Sequence, residues 1–266
     1  MIPSSGEERA PVLQQIGRFS INALKGARDL AIPPTCLLCD RLVDDQGGLC
    51  ASCWKSSRFI ERPYCEVLGL PFAFDPGAHD EGSAIVSAGA LADPPPFERL
   101  RAAMAYDDSA RRLVSALKFS DRGDLAPWMA GFMARAGREL IADCEVIVPV
   151  PLHRLRLHER RYNQSAELAR RIAAFTGLAY EAQALSRHRR TRQQVGLSAL
   201  ERARNVQGAF RADAARRPAV EGRRVLLVDD VHTTGATVRA CARALKRAGA
   251  AAIDVLVFAS VVGDDI

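Results

Sequence analysis

Val225-Leu226-Leu227-Val228-Asp229-Asp230-Val231-His232-Thr233-Thr234-Gly235-Ala236-Thr237 is the stretch from which both the fold and the chemistry of this chain are read. Its four leading apolar residues have the pattern of a strand buried on both faces, as in a parallel sheet. Such a strand brings Asp229 and Asp230 to its carboxyl end, the edge where open α/β sheets bind ligands. A short loop then opens a helix marked by Val238, Cys241, Ala242 and Leu245 and ending near Gly249. Gly235 allows the backbone to come close to a ligand. The N–H groups from Thr233 through Ala236 to Thr237, with the hydroxyls of Thr233, Thr234 and Thr237, make a phosphate cradle. Two carboxylates beside such a cradle suit a sugar phosphate. They can accept hydrogen bonds from two ribose hydroxyls, or hold them through Mg²⁺ and water. The pattern GxxxxGK[ST] is absent, which excludes a P-loop nucleotidase. The alternative is an ordinary strand-to-helix turn whose threonines only cap the helix. The joint order of the features favours the ligand site.

Working outward, strand-like and helix-like segments alternate from residue 98 to 266. Ala103–Tyr106 reads as a strand, and Ala110–Phe119 and Trp128–Leu140 as helices. Glu145–Val150 is a β-branched strand, bounded by Pro149 and Pro151. Ser165–Phe175 is helical with Gly177 as its stop, and Ile253–Val262 supplies a last strand. This alternation predicts an α/β fold, a mostly parallel sheet flanked by helices. Residues 72–97, with Asp75-Pro76-Gly77 and Asp93-Pro94-Pro95-Pro96, read as a linker. In residues 1–32, Val12, Ile16, Phe19, Ala23, Ala27 and Leu30 predict an amphipathic helix, packed on its own protein rather than on a membrane. No internal repeat is visible.

The 266 residues are 48% hydrophobic and 26% charged, and carry a net charge of +6, a balance suited to anionic ligands. No apolar run approaches the roughly 18 residues that a membrane span needs. Early acidic residues, Glu7 and Glu8, and the pair Gln14-Gln15 argue against a signal peptide. The expectation is a cytoplasmic protein. The sequence is silent on oligomeric state.

Among the seven cysteines, Cys36-x2-Cys39 and Cys50-x2-Cys53 form two knuckles within residues 33–71. Two such knuckles complete a tetrahedral zinc site with no open position, hence a structural one. A redox dithiol is the alternative, but the thioredoxin-like βαβ setting is missing. Cys144 and Cys241 sit in apolar surroundings and read as core residues.

A second basic segment follows the strand at Glu145–Val150. Val148-Pro149-Val150-Pro151-Leu152-His153-Arg154 leads through Arg156, Arg160 and Arg161 to Tyr162, Asn163 and Gln164. A departing diphosphate needs cations and N–H donors, and the arginine fork binds phosphate in a bidentate way. The alternative is a solvated basic loop with Asn163 capping the next helix.

The segment Val225–Thr237 resembles the phosphoribosyl-diphosphate (PRPP) signature of type I phosphoribosyltransferases. The Val148–Gln164 stretch resembles the Val-Pro-Val-Pro-Leu…Arg-Gly-Phe-Asn-Gln signature of the ComF family, with Arg161 in place of Gly and Tyr162 in place of Phe. Arg190-Thr191…Gln194 and Lys118-Phe119 with Asp124 are similar to further ComF elements. So is Pro63-Tyr64-Cys65-Glu66-Val67-Leu68-Gly69-Leu70-Pro71, where Leu68 takes the position of a second cysteine. The resemblance spans residues 30 to 262. It implies a zinc ribbon ahead of a phosphoribosyltransferase-like domain, and Mg²⁺-dependent transfer of a 5-phosphoribosyl group. Asp229 and Asp230 would be its catalytic acids. Thr233, Thr234, Gly235, Ala236 and Thr237, with Pro151, Arg154, Arg160, Asn163 and Gln164, would hold PRPP. Arg190, Thr191 and Gln194 would belong to a hood over it, or else to a charged surface loop. The family name implies DNA uptake, with single-stranded DNA or uptake proteins as partners. A non-catalytic nucleotide-, PRPP- or DNA-binding accessory protein is the alternative.

Overall fold

In a computed structural model the structure describes residues 33–45, 47–72, 84–119, 125–152, 162–189 and 198–263. The chain divides into two compact units, residues 1–54 and 55–266. In the first, Thr35 and Leu42 form an antiparallel bridge, and a turn around Cys36–Cys39 faces the segment leading to Cys50. Helix α1 (Ala51–Ser56) follows Cys50.

The second unit follows the expected alternation. After α2 (Ala88–Ala92) come β1 (Arg99–Ala105), α3 (Asp108–Phe119), α4 (Leu125–Ala136), α5 (Arg138–Asp143) and β2 (Val146–Pro149). Next are α6 (Gln164–Thr176), β3 (Ala179–Tyr180), β4 (Leu185–Arg187), α7 (Ala199–Val206) and β5 (Phe210–Ala212). The second half closes with β6 (Arg224–His232), α8 (Ala236–Arg247) and β7 (Ala252–Ser260). The main sheet has the order β1-β7-β6-β2-β3, and each of its pairings is parallel. β4 and β5 form a separate antiparallel pair.

Apolar strands explain this arrangement. Val225, Leu226, Leu227 and Val228 are all fully buried, so β6 is covered on both faces. Val225 and Leu227 join Val146, Val148, Val255 and Val257 in a core shared with Val238, Cys241 and Leu245 of α8. Residues of opposite parity face the other way. There Phe258 meets Trp128 of α4, ring centroids 6.3 Å apart. α4 packs on β1, β7 and α6, and α6 packs on β2 and β6.

Several expected boundaries move for packing reasons. The helix expected over Trp128–Leu140 is two helices that meet at Gly137. A Cβ there would stand 2.7 Å from a methyl of the Leu256 side chain, so any larger residue would have to displace Leu256 in the core. β6 does not stop at Val228. It runs through both aspartates because β7 continues to pair with it, as far as His232↔Ser260. β1 starts earlier than Ala103, since Arg99 already pairs with Asp254. The stretch 72–97 carries α2, capped by Ser87, whose side chain accepts from Ala90 N. The helix expected over residues 1–32 lies outside the described residues.

At the amino end of the sheet, Asp254 is fully buried. Arg99 reaches it through Nε (3.1 Å) and Nη2 (2.8 Å), and Arg224 through Nε (2.7 Å) and Nη2 (3.2 Å). Burial alone would raise the Asp254 carboxyl, but the two guanidiniums outweigh it and hold it below the ordinary carboxylate range. One carboxylate thus ties β1, β6 and β7 together.

Candidate sugar-phosphate site at the switch point

Topology locates the site before any side chain does. From β2 the chain crosses through α6 to β3 on one side, whereas from β6 it crosses through α8 to β7 on the other. Adjacent strands whose connections leave in opposite directions open a crevice at their carboxyl ends. β2 and β6 are such a pair, with Pro149 opposite Val228 and Val150 N bonded to Val228 O (2.9 Å). The two segments singled out in the sequence therefore end side by side.

Asp229 is 7% exposed and accepts from the Ser165 hydroxyl (2.8 Å) and from Asp230 N (3.0 Å). Burial and the neighbouring Asp230 carboxylate push its carboxyl up to about 7, against the pull of Ser165. Asp230 is paired with Lys118 of α3, Nζ to Oδ2 2.9 Å.

Gly235 caps α8 in the left-handed region, φ 72°. A side chain there is disfavoured by backbone strain. It is also excluded by space, since a Cβ would lie 2.8 Å from His232 Nε2. His232 is buried beneath the loop, its Nδ1 3.0 Å from Ser260 Oγ. Burial holds this imidazole down to about 4, so it is neutral at pH 7. Val231, His232, Thr233, Gly235, Ala236 and Thr237 line one recess with Asp229. The amino end of α8 turns backbone N–H groups and the positive end of the helix dipole toward this recess, which favours an anion there.

On the β2 side, Pro151 follows the strand, and Asn163 immediately precedes α6. Asn163 caps that helix, accepting from Ser165 N (3.1 Å), and donates Nδ2 to Val150 O (2.9 Å). Its observed contacts are those of a helix cap that also staples the loop to β2. Gln164 is 2% exposed, and its Nε2 has no hydrogen-bond partner among the described residues. Arg154 and Arg160, and the hood candidates Arg190, Thr191 and Gln194, lie outside the described residues, as does Asp124. Two positions escaped the sequence reading. Ser165 gives no signal beyond adjacency to Gln164, and His232 is masked by the apolar and threonine pattern around it.

In the first unit, the sulfurs of Cys36, Cys39, Cys50 and Cys53 all lie within 4.8 Å of one another. Cys39 Sγ and Cys50 Sγ are 3.6 Å apart. A tetrahedral zinc with Zn–S bonds of about 2.3 Å requires nearly this spacing. The set therefore fits one zinc held by four protein thiolates, a structural ion. Ser52 Oγ, 3.1 Å from Cys50 Sγ, helps to draw that thiol down to about 6.

Comparison with known proteins agrees with both halves. Residues 27–84 match the double zinc ribbon domain family, and residues 165–263 the phosphoribosyl transferase domain family. DNA utilization protein YhgH of Salmonella typhimurium is 35% identical over 233 residues, covering 85% of this chain and 96% of that protein. Competence protein F of Haemophilus influenzae is 27% identical, over 79% of this chain and 89% of that one. Competence protein ComFC of Bacillus subtilis is 25% identical, over 82% and 90%. No helix among the described residues is long and apolar enough to cross a membrane. With a cysteine ribbon, a phosphoribosyltransferase-type sheet and relatives of nearly the same length, the chain belongs to the ComF family, alongside YhgH, competence protein F and ComFC.

Proposed function

We propose that this protein binds PRPP at the β2/β6 crevice and transfers its 5-phosphoribosyl group, with Mg²⁺, to an acceptor in a DNA-uptake setting. The observation that carries the reading is the junction itself. An acidic pair on β6 lies beside the Gly235-capped start of α8, directly next to the end of β2. In this reading Asp229 and Asp230 accept the ribose hydroxyls. The N–H groups and hydroxyls from Thr233 to Thr237 hold the 5′-phosphate. Pro151 and Asn163 flank residues 153–161, of which Arg154 and Arg160 would meet the diphosphate. Gln164 Nε2 is a donor without a partner in the described residues, and it suits a ligand oxygen. The acid pair also fits Mg²⁺. Burial, and after it the neighbouring Asp230 carboxylate, raises Asp229, so a divalent cation would relieve both, and Asp230 already holds a cation, Lys118. The metal would be held by Asp229 and Asp230 and would supply neutralisation of the diphosphate charge. Catalysis would then rest on position and electrostatics, as charge moves from the ribose carbon onto the leaving diphosphate. The setting is taken from the relatives named for DNA utilization and competence.

PRPP with Mg²⁺ should raise the melting temperature of the wild-type protein, by the equivalent of about 2.7 kcal/mol at a hundredfold excess over Kd. Asp229→Ala combined with Asp230→Ala should abolish the shift. An unshifted wild type would overturn the binding claim. A shift without diphosphate release over a panel of nucleobase acceptors would leave a binding protein instead of a transferase.

A further inference from the structure

Residues 64–72 and 84–92 repeat a set of backbone bonds found in the zinc ribbon. In the ribbon, Thr35 bridges Leu42; here Tyr64 bridges Pro71. Cys36 N donates to Arg41 O (2.7 Å) as Cys65 N does to Leu70 O (2.9 Å). Asp40 N returns to Cys36 O (3.1 Å), and Gly69 N to Cys65 O (2.7 Å), with left-handed φ of 58° and 61° at those two residues. Leu37 N meets Gly48 O (3.1 Å), and Glu66 N meets Ile85 O (2.8 Å). The Cys36 sulfur accepts from Cys50 N at 3.3 Å, and the Cys65 sulfur accepts from Ser87 N at the same distance. A short helix follows each, α1 after Cys50 and α2 after Ser87. These correspondences equate Cys36 with Cys65, Cys39 with Leu68, Cys50 with Ser87 and Cys53 with Ala90. The repeat was invisible in the sequence because three of four thiols are gone and the intervening loop is longer.

A double zinc ribbon implies a second metal, and this second set does not fit one. Cys65 is its only thiol, and the cysteines left over, Cys144 and Cys241, are buried elsewhere in the second unit. Among the described residues, the four-cysteine cluster of the first ribbon is the only such group. We infer that the second ribbon of this protein folds without zinc, and that a hydrogen-bond cage and a clamp onto β1 take over the work of the ion. The cage is centred on the Cys65 sulfur, which is fully buried and accepts from Leu68 N (3.4 Å), Ser87 N (3.3 Å) and Ser87 Oγ (3.3 Å). Leu68 and Ala90, at the other two positions, offer no ligand atom to a metal; Leu68 packs against the sheet core, and Ala90 is 4% exposed. The clamp ties the turn to the sheet edge. Leu100 N bonds Val67 O (2.8 Å), and Arg101 Nη1 donates to Glu66 O (2.8 Å). Arg101 is buried, pairs with the Glu66 and Glu139 carboxylates, and stacks over Tyr64 at 4.6 Å. A Cβ at Gly69 would collide with the Leu100 carbonyl, so the turn sits flush on β1. A metal staples a small module that lacks a core of its own. This module borrows the core of its neighbour, which makes the staple dispensable.

Metal analysis of the full-length protein tests the inference. About one zinc per chain is expected, and Cys65→Ser should keep that one ion. Two zincs in the wild type, or a loss of zinc on Cys65→Ser, would overturn it. The triple variant Leu68→Cys, Ser87→Cys, Ala90→Cys rebuilds the thiol set and should raise the content to about two. A folded triple variant that stays at one would refute the equivalence of the two ribbons. Neither measurement depends on PRPP binding, so this inference and the proposed function fail separately.

Discussion

Asp229 shows what the proposed ligand site costs at the scale of one residue. A carboxylate placed 7% exposed beside a second carboxylate is not there for stability. Its ordinary value lies near 3.8, and burial with Asp230 pushes it up to about 7 in the folded protein. Between roughly pH 4 and 7 the folded state therefore holds a proton that the unfolded chain has released. Stability from this group is lost as pH rises through that window and stays reduced above it. Asp229→Asn removes the penalty. The variant should match wild type near pH 4 and exceed it above pH 7 by on the order of 1–3 kcal/mol, read from melting curves across pH. A variant less stable than wild type at pH 8 would refute this sign. The same variant should bind PRPP poorly, because a carboxylate acceptor has become partly a donor.

Among the elements, β6 does two jobs at its two ends. Its carboxyl end bears the acid pair; at its amino end Arg224 shares Asp254 with Arg99 of β1. Breaking a buried pair by deleting one partner strands the others. Asp254→Ala should cost about 3 kcal/mol, because two partly buried guanidiniums lose their counter-ion. Asp143→Ala removes only an exposed partner of Arg99 and should cost under about 1 kcal/mol. Equal melting temperatures for the two variants would show that the clamp is not structural. Most elements of this sheet were legible in the sequence, because Val225–Val228 and Val146–Val148 bury both faces and have to be apolar throughout. Their ends were not. The extension of β6 to His232 depends on pairing with β7, and the break falls at Gly137, which packs on Leu256, far away in sequence.

For the molecule as a whole, the division at residue 54 sets which part depends on metal. The second unit owns the sheet, the buried core and the metal-free ribbon, whereas the first described unit has four cysteines and few buried apolar residues. Cys36→Ser should therefore release zinc and order from the first unit, while the main calorimetric transition of the full-length chain moves by no more than a few degrees. A collapse of that transition would mean that the metal holds both units.

By itself the sequence determined the fold class, the acid pair, the glycine loop and the two cysteine knuckles of the first zinc ribbon. Each of these is written in contiguous residues whose chemistry has few other uses. Only the tertiary structure decided that β2 and β6 lie side by side and that Ser165 holds Asp229. It also decided that His232 supports Gly235, and that the turn at Cys65 is a second ribbon. Those facts are contacts between distant segments. Leu68 is marked in the sequence as standing in the place of a cysteine, but Ser87 and Ala90 bear no mark of a metal site until the backbone places Ser87 on the Cys65 sulfur.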